Sequence, residues 1–328
     1  MKIFSFIKFI TSVFFFGVLV YGGYFVFNEY IWKTINPKPT IEEQITKEVR
    51  KISSVDHFDD EASLDTKKPF AMILLGVDGD SFKNNRSDTI MLSIVDPKKD
   101  KVSLLSIPRD LRVQIPGQNG YEKINAAFAK GGVDLTAATI QKEFGIPIEH
   151  YAVINFKGFQ DMVEAIGGVD LNVEKDLTFS DRITKTRFNL KKGEQTLNGI
   201  QALNYARFRG DGEGDFGRMR RQQQVVKAII DQTISISNIP KIVDIMGAID
   251  KNFTSNVSYK DLGMLALKMR NIKGENIDTI KYTAEPKMIK GVSYVVAEDK
   301  EINRLRDVLQ NKLNGIDEEV KEVEHRNN

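Results

Sequence analysis

The run FAMILLGV, residues 70–77, is apolar throughout and contains no charged residue. An uninterrupted run of this length predicts a buried strand. Two further apolar runs follow at 90–95 and 102–107, and the segment between them, Asp96-Pro97-Lys98-Lys99-Asp100, is polar and contains proline. Such a connection predicts that these two strands form a hairpin. We therefore expect the folded part of the chain to begin near Pro69 with three strands.

Downstream of these strands, helical patterns alternate with short apolar runs. We predict strands at 151–155 and 169–173, a further strand near 278–283, and two or three further helices within 238–314. The main predicted helices cover 122–130, 133–144, 156–166, 196–206 and 216–236. Alternating elements of this kind are typical of an α/β fold, here a mixed β-sheet flanked by helices in an α/β/α arrangement.

The N-terminal segment 9–28 contains no charged residue and follows Lys2 and Lys8. Twenty residues in a helix span roughly 30 Å, the thickness of a bilayer's hydrocarbon core. The preceding lysines favour an N-terminus in the cytoplasm and a C-terminal domain outside it. A cleaved signal peptide is the alternative, but it needs a small-residue site of the Ala-x-Ala kind, and the first alanine is Ala62. We therefore expect one transmembrane anchor.

These patterns divide the chain into five parts. We predict a cytoplasmic N-terminus at 1–8, the anchor at 9–28, an extracytoplasmic linker at 29–68, a catalytic domain at 69–315 and a charged tail at 316–328. The motifs that carry chemistry lie within 70–232.

The composition excludes several kinds of site. The chain has no cysteine, which rules out disulfides, thiol nucleophiles and cysteine-ligated metals. Its three histidines, His57, His150 and His325, are far apart in sequence, so a Ser-His-Asp triad or a two-histidine metal site has little support. A net charge of +2 does not favour nucleic acid as a partner.

Five arginines fall within the fifteen residues 207–221, around a glycine-rich turn. Arg218, Arg221 and Gln222 have i, i+3 and i+4 spacing and would share one face near the N-terminus of the predicted helix. Arg207 and Arg209 alternate with apolar residues, so an extended segment would direct both to the same side. Arginine matches phosphate oxygens in geometry, and the group would repel itself unless an anion joined it. The alternative is a solvated basic face paired with nearby carboxylates.

Carboxylates and an arginine follow or begin the predicted strands. Asp78 ends the first strand and Asp88 starts the second, and both could bind magnesium, which prefers oxygen ligands and takes others from substrate phosphate. Ordinary turn chemistry is the alternative for both aspartates. Arg109 ends the third strand, where open α/β sheets commonly bind ligands. Asp215 could cap the arginine-bearing helix or act as a base, and we expect the cap.

Six motifs, in order, resemble those of the LytR-CpsA-Psr family over roughly 70–232. They are Leu74-Leu75-Gly76-Val77-Asp78, Arg86-Ser87-Asp88-Thr89, Ser106-Ile107-Pro108-Arg109-Asp110, Lys123-Ile124-Asn125, Ile166-Gly167-Gly168-Val169, and Tyr205-x-Arg207-x-Arg209 with Gly217-Arg218-x-x-Arg221-Gln222. The N-terminal anchor is also similar to that of the family.

The resemblance implies an extracytoplasmic phosphotransferase. Such enzymes move an anionic glycopolymer, for example wall teichoic acid or capsule, from undecaprenyl-pyrophosphate to the 6-hydroxyl of N-acetylmuramic acid in peptidoglycan. It also implies a long apolar pocket for the polyprenyl tail. Membrane and peptidoglycan are the expected partners, and nucleic acid is not.

The resemblance also implies roles for individual residues. Asp78 and Asp88 are similar to the metal-binding aspartates, with Mg²⁺ or Mn²⁺ as cofactor. The predicted pyrophosphate-binding set comprises Arg86, Arg109, Arg207, Arg209, Arg218, Arg221, Gln222 and Lys123. We expect Arg109, Asp88 and Asp110 to be catalytic, with Asp88 or Asp110 as the base.

Two other functions fit the same sequence. A hydrolase that cleaves the lipid pyrophosphate with water would need the same site. A membrane-bound transcriptional regulator would use the arginines for DNA, but the predicted anchor separates them from it, and the chain shows no helix-turn-helix pattern.

Overall fold

The structure is a computed structural model that describes residues 64–317, apart from 80–81, 83–84, 181–186, 234–244 and 246–248. The predicted anchor at 9–28, most of the linker and residues 318–328 lie outside the described residues. Within the described ranges, no helix has both the length and the apolar character needed to cross a bilayer.

A six-stranded mixed sheet forms the centre of the fold. Its strands are β1 (Phe70–Val77), β2 (Ser87–Asp96), β3 (Lys101–Ser106), β6 (His150–Asn155), β11 (Phe253–Ser255) and β12 (Ile277–Thr279), in the order β11-β6-β1-β2-β3-β12. The predicted hairpin is confirmed, because β2 and β3 pair antiparallel across the 97–100 turn. β1 pairs antiparallel with β2 and parallel with β6.

Helices cover the sheet, as the sequence pattern predicted. They are α1 (Ala126–Phe144), α2 (Phe156–Ala165), α3 (Gly199–Arg207), α4 (Gly214–Thr233), α5 (Tyr259–Lys268) and α6 (Asp299–Leu313). One sheet face buries Phe70, Met72 and Leu104 against α4 and α5, through side chains such as Val226 and Leu265. α1 and α6 pack on β2.

Smaller strand pairs extend the fold beyond the predicted elements. β4 (Arg112–Val113) pairs with β5 (Glu122–Lys123), and β7 (Val169–Val173) pairs with β10 (Gly193–Leu197). Two hairpins, β8 (Leu177–Ser180) with β9 (Arg187–Leu190) and β13 (Glu285–Ile289) with β14 (Val292–Val296), were not predicted.

The predicted helix at 122–130 is wrong at its start, because residues 122–123 pair with β4 and α1 begins at Ala126. The predicted break at Gly131-Gly132 is confirmed. Both glycines leave helical geometry, and Gly132 adopts a φ of 62°, which only glycine tolerates at low cost.

Glycines let the backbone of α2 lie close to two neighbours, the turn at 250–252 and the start of α3. A Cβ on Gly158 would lie 2.5 Å from the backbone oxygen of Asn252. A Cβ on Gly199, the first residue of α3, would collide with the backbone of Gln160 in α2. Backbone therefore lies directly on backbone at this contact, which fixes the position of α3.

Candidate active site

One edge of the central sheet collects the carboxylates and the arginine that the sequence places at strand ends. Because β1 and β6 are parallel and β3 runs in the same direction, their C-terminal ends meet at this edge, where β2 begins. Asp78 directly follows β1, Asp88 is the second residue of β2, and Arg109 follows β3. The structure thus brings these three residues to one edge.

Arg109 links the two sides of this edge. Its Nη1 donates to Oδ1 of Asp88 at 2.5 Å, and its Nε lies 3.9 Å from Oδ2 of Asp215. That Nε is buried without a hydrogen-bond partner among the described residues. Burial lowers the pKa of Arg109, but the hydrogen bond and charge of Asp88, with Asp110 and Asp215, outweigh it and raise the pKa. The guanidinium of Arg109 is therefore always charged, and its Nε–H makes no hydrogen bond to a described residue.

Asp215 lies among three arginines. Besides Arg109, its carboxylate pairs with Nε of Arg209 at 3.2 Å and with Nη2 of Arg218 at 3.3 Å. The Arg218 side chain is only 5% exposed, and its Nε is also buried without a partner among the described residues. The two aspartates, Asp88 and Asp215, do not neutralise three guanidinium groups, so one positive charge is left over. This surplus of positive charge favours an additional anion.

Asp215 lies within the first turn of α4. The expected capping role is replaced by ion pairing, because the carboxylate turns toward the arginines. The sequence pattern does not show this, since Arg109 is more than a hundred residues away.

Arg207 also lies at this sheet edge, but at the end of a helix and not in the predicted extended segment. It is the last residue of α3, and its guanidinium lies 4.6 Å from the ring centroid of Phe156, the first residue after β6. Arg207 is therefore helical, and the predicted extended segment that directs Arg207 and Arg209 together is wrong.

The remaining predicted residues lie around this centre. Arg86 immediately precedes β2 and is exposed, as is Asp78. Lys123, on β5, pairs with Oδ1 of Asp110 at 3.1 Å. Gln222 lies buried on α4.

Arg221 belongs to the packing of the fold rather than to the predicted binding set. Its side chain is fully buried, its Nε donates to Glu174 at 2.8 Å, its Nη2 pairs with Asp211, and its Nη1 donates to the carbonyl of Phe208 at 3.2 Å. All three nitrogens are thus occupied by the protein. Arg221 therefore has no free nitrogen for the phosphate that the sequence pattern predicted it to bind.

The carboxylates around Arg221 form a network that the sequence analysis missed. The Tyr205 hydroxyl donates to Glu174 at 2.7 Å, and burial together with this carboxylate raises the pKa of Tyr205. Burial raises the pKa of Glu174, but the hydrogen bonds from Tyr205 and Arg221 outweigh it and lower the pKa overall. Arg220 pairs with Glu213 at 2.9 Å. Acidic partners are thus more numerous than the arginine pattern suggested.

The oxygen donors at the edge suit a hard divalent cation. Oδ1 of Asp88 accepts from Arg109, so the second oxygen of Asp88 and the exposed carboxylate of Asp78 are the protein's candidate ligands. The described residues contain no group of three or more histidines, aspartates and glutamates able to hold a metal. Two carboxylates are enough for Mg²⁺ only if water and substrate phosphate complete its coordination.

Comparison with known proteins identifies the relatives of this fold. The sequence pattern described as the LytR_cpsA_psr family matches residues 31–311. The chain belongs to the LytR-CpsA-Psr family.

A relative from Enterococcus faecalis, the polyisoprenyl-teichoic acid–peptidoglycan teichoic acid transferase TagU, is 35% identical over 259 residues, which cover 77% of this chain and 83% of the relative. The crystal structure of TagV from Bacillus subtilis superposes with a TM-score of 0.69 at 35% identity, covering 76% of this chain and 98% of TagV. A structure of TagT bound to LIIa-WTA superposes with a TM-score of 0.65 at 34% identity, covering 77% of this chain and 94% of TagT.

Membership in the LytR-CpsA-Psr family agrees with the geometry of the motifs. Residues of the motifs around Asp78, Asp88 and Arg109 meet at one sheet edge, and the motif after Tyr205 brings Arg209 and Arg218 to the same place.

We expect Arg221→Ala to lower the free energy of unfolding by about 3–5 kcal/mol, because it leaves the carboxylates of Glu174 and Asp211 without their buried partner. Chemical denaturation measures this loss, and Arg187→Ala, an exposed arginine on β9, is the matched control. Should Arg221→Ala unfold like the control yet lose pyrophosphate binding, the role first predicted from sequence would be restored.

Proposed function

We propose that this chain is a membrane-anchored phosphotransferase that moves an anionic glycopolymer from undecaprenyl-pyrophosphate to the 6-hydroxyl of N-acetylmuramic acid in peptidoglycan. The observation that carries the proposal is the convergence of Arg109, Arg209 and Arg218 on Asp215, next to Asp88. The names of the teichoic acid transferases TagU and TagV, and the TagT complex with LIIa-WTA, support it.

The arginines supply most of what phosphoryl transfer requires. In the proposed reaction the acceptor oxygen attacks the phosphorus that carries the glycan, and the bond from this phosphorus to the lipid phosphate breaks. The lipid monophosphate leaves with the bonding electrons. Arg109, Arg209 and Arg218, with Arg207, would bind the pyrophosphate oxygens and stabilise this charge.

A carboxylate must take the proton of the acceptor hydroxyl. Asp88 and Asp110 are the candidates. Asp88 contacts Arg109, and Asp110 follows Arg109 in sequence and pairs with Lys123. Asp78 and Asp88 would hold Mg²⁺, or Mn²⁺ in its place. When bound, such an ion supplies further positive charge to the pyrophosphate.

The polyprenyl tail has a suitable apolar surface between the sheet and two helices. Leu74, Val226, Ile230 and Leu265 are only partly buried against the core beneath α4 and α5. α4 carries Arg218 near its start and Ile230 near its end, roughly 18 Å apart at the rise of an α-helix. One helix would therefore contact both the charged head group and the apolar tail.

Hydrolysis of the lipid pyrophosphate is the main alternative, because water could replace the sugar hydroxyl at the same site. A regulator that binds DNA is less well supported by the arginine positions. Arg221 is fully buried, and Arg109, Arg209 and Arg218 surround a carboxylate instead of lining one exposed helix face.

We predict that Arg109→Ala and Arg218→Ala each lose ~2–4 kcal/mol of transition-state stabilisation, a rate loss of roughly thirty- to nine-hundredfold. Lysine at either position should restore activity only in part, since a point charge cannot reproduce the bidentate fork. Transfer from a synthetic short-chain lipid-pyrophosphate glycan to peptidoglycan measures the effect, and water as acceptor distinguishes hydrolysis. Near-normal turnover in both alanine variants would refute the arginine site.

Removal of divalent cations should abolish transfer, and Mg²⁺ or Mn²⁺ should restore it. Asp78→Asn and Asp88→Asn should then need much more metal for half-maximal activity, because each loses a charged oxygen ligand. Asp278→Asn is the control on β12, away from the predicted pair. Full activity of the double variant in chelator would show that the metal assignment is wrong.

The predicted topology has its own test. A reporter enzyme that works only outside the cytoplasm, fused after Asn328, should be active, because Lys2 and Lys8 favour an N-terminus that stays inside. The same fusion without residues 9–28 is the control. Activity of a cytoplasm-dependent reporter at this position would contradict both the topology and the proposed substrate.

A further inference from the structure

The β4–β5 ribbon is a direct continuation of the loop that carries Arg109. The backbone N–H of Ile124 donates to the carbonyl of Leu111 at 2.9 Å, and that of Asn125 donates to the carbonyl of Arg109 at 3.2 Å. The ribbon is therefore held against the catalytic loop by backbone bonds, and a side chain on it has a fixed position relative to Arg109.

Arg112 lies directly opposite Lys123 in this ribbon. Directly opposed residues direct their side chains to the same face, and two like charges in such a pair destabilise a ribbon. Lys123 is compensated, because its Nζ pairs with Asp110. A pair of like charges that costs stability, on a ribbon hydrogen-bonded to the Arg109 loop, indicates a role other than packing.

The charge of Arg112 has no such compensation in the part of the chain that the structure describes. Glu122 is next to Lys123 in β5 and therefore points to the opposite face, where it pairs with Lys130. Among residues 64–317 as far as the structure describes them, no carboxylate lies within ion-pair distance of Arg112. Within the described ranges, the ribbon thus presents next to Lys123 a positive charge without a carboxylate partner.

Tyr121 holds this charge in place. The central carbon of the Arg112 guanidinium lies 3.7 Å from the centroid of the Tyr121 ring, which is 49% exposed. A guanidinium that stacks on a ring keeps its N–H donors in its own plane, directed away from the ring and available to an anion. Stacking also removes part of the entropy that a free arginine would lose on binding.

We propose that Arg112, stacked on Tyr121, forms an anion subsite next to Lys123 and recognises a second anionic group of one of the two substrates. This rests on the proposed transfer reaction. The group is a carboxylate or a phosphodiester: peptidoglycan brings stem-peptide carboxylates, and an anionic glycopolymer brings phosphodiesters. Either would lie beyond the pyrophosphate, on the side of the site that the ribbon borders.

The test compares Arg112→Gln and Arg112→Lys with wild type in the full chain. Arg112→Gln should raise KM for one substrate about five- to tenfold and leave kcat within about twofold, because a contact away from the reacting atoms contributes equally to ground and transition states. Arg112→Lys should recover part of the loss. Added salt should raise the wild-type KM more than that of Arg112→Gln. Arg270→Gln, at an exposed arginine after α5, is the matched control.

Two pairs of substrates identify the source of the anion. One pair is a peptidoglycan fragment with free stem-peptide carboxylates and the same fragment with those groups amidated. The other is a lipid-pyrophosphate glycan with phosphodiesters and a neutral glycan on the same lipid. The effect of Arg112→Gln should vanish with the amidated fragment or with the neutral glycan, whichever substrate Arg112 contacts.

A purely structural role for the stacked pair predicts a different result. Arg112→Gln and Tyr121→Leu would then lower the melting temperature and leave both KM values unchanged, which would overturn the proposal. An effect of Arg112→Gln equal with all four substrates would overturn it as well. If wild type shows no transfer, the proposed function fails, and calorimetric titration of the same soluble peptidoglycan fragments into wild type and Arg112→Gln still tests the subsite for a carboxylate.

Discussion

The carboxylate of Asp215 is shared by Arg109, Arg209 and Arg218, and the geometry of the site depends on this sharing. Three guanidinium groups gathered at a sheet edge repel one another unless negative charge separates them. A single carboxylate is enough to hold them together but not to neutralise them. The protein therefore keeps its arginines assembled and still leaves them with affinity for an anion.

Arg221, one helical turn beyond Arg218 on α4, also forms ion pairs that hold the site together. It ties Glu174 on one side to Asp211 and the Phe208 carbonyl on the other, so it fixes the segment that leads to Arg209. A buried ion pair of this kind contributes little net stability but is costly to break. The contacts of Arg221 instead fix the path of the turn before α4, and this path determines the position of Asp215.

The sequence predicts β1, β2, β3 and β6 of the central sheet, the main helices and the position of Asp78, Asp88 and Arg109 at strand ends, because apolar runs and strand ends are local signals. It does not predict β11, a strand of only three residues. It does not predict how five neighbouring arginines divide their roles. Arg218 and Arg221 carry the same charge and lie on the same face of α4. Their roles differ because Glu174 and Asp211 pair with Arg221, and the sequence does not show where these two carboxylates lie in space. The helical state of Arg207 was missed for a similar reason, since α3 continues one residue beyond Ala206 and its start is fixed by a capping box at Asn198.

The contact of α3 with α2 through Gly199 makes the position of Arg207 depend on the absence of a side chain at residue 199. Side chains in a core can change volume and be accommodated by their neighbours, so helices that rest on side chains shift as those side chains are replaced. Here backbone meets backbone, so a side chain added at position 199 would force the two helices apart. Such a substitution would also displace Arg207, which lies at the far end of α3.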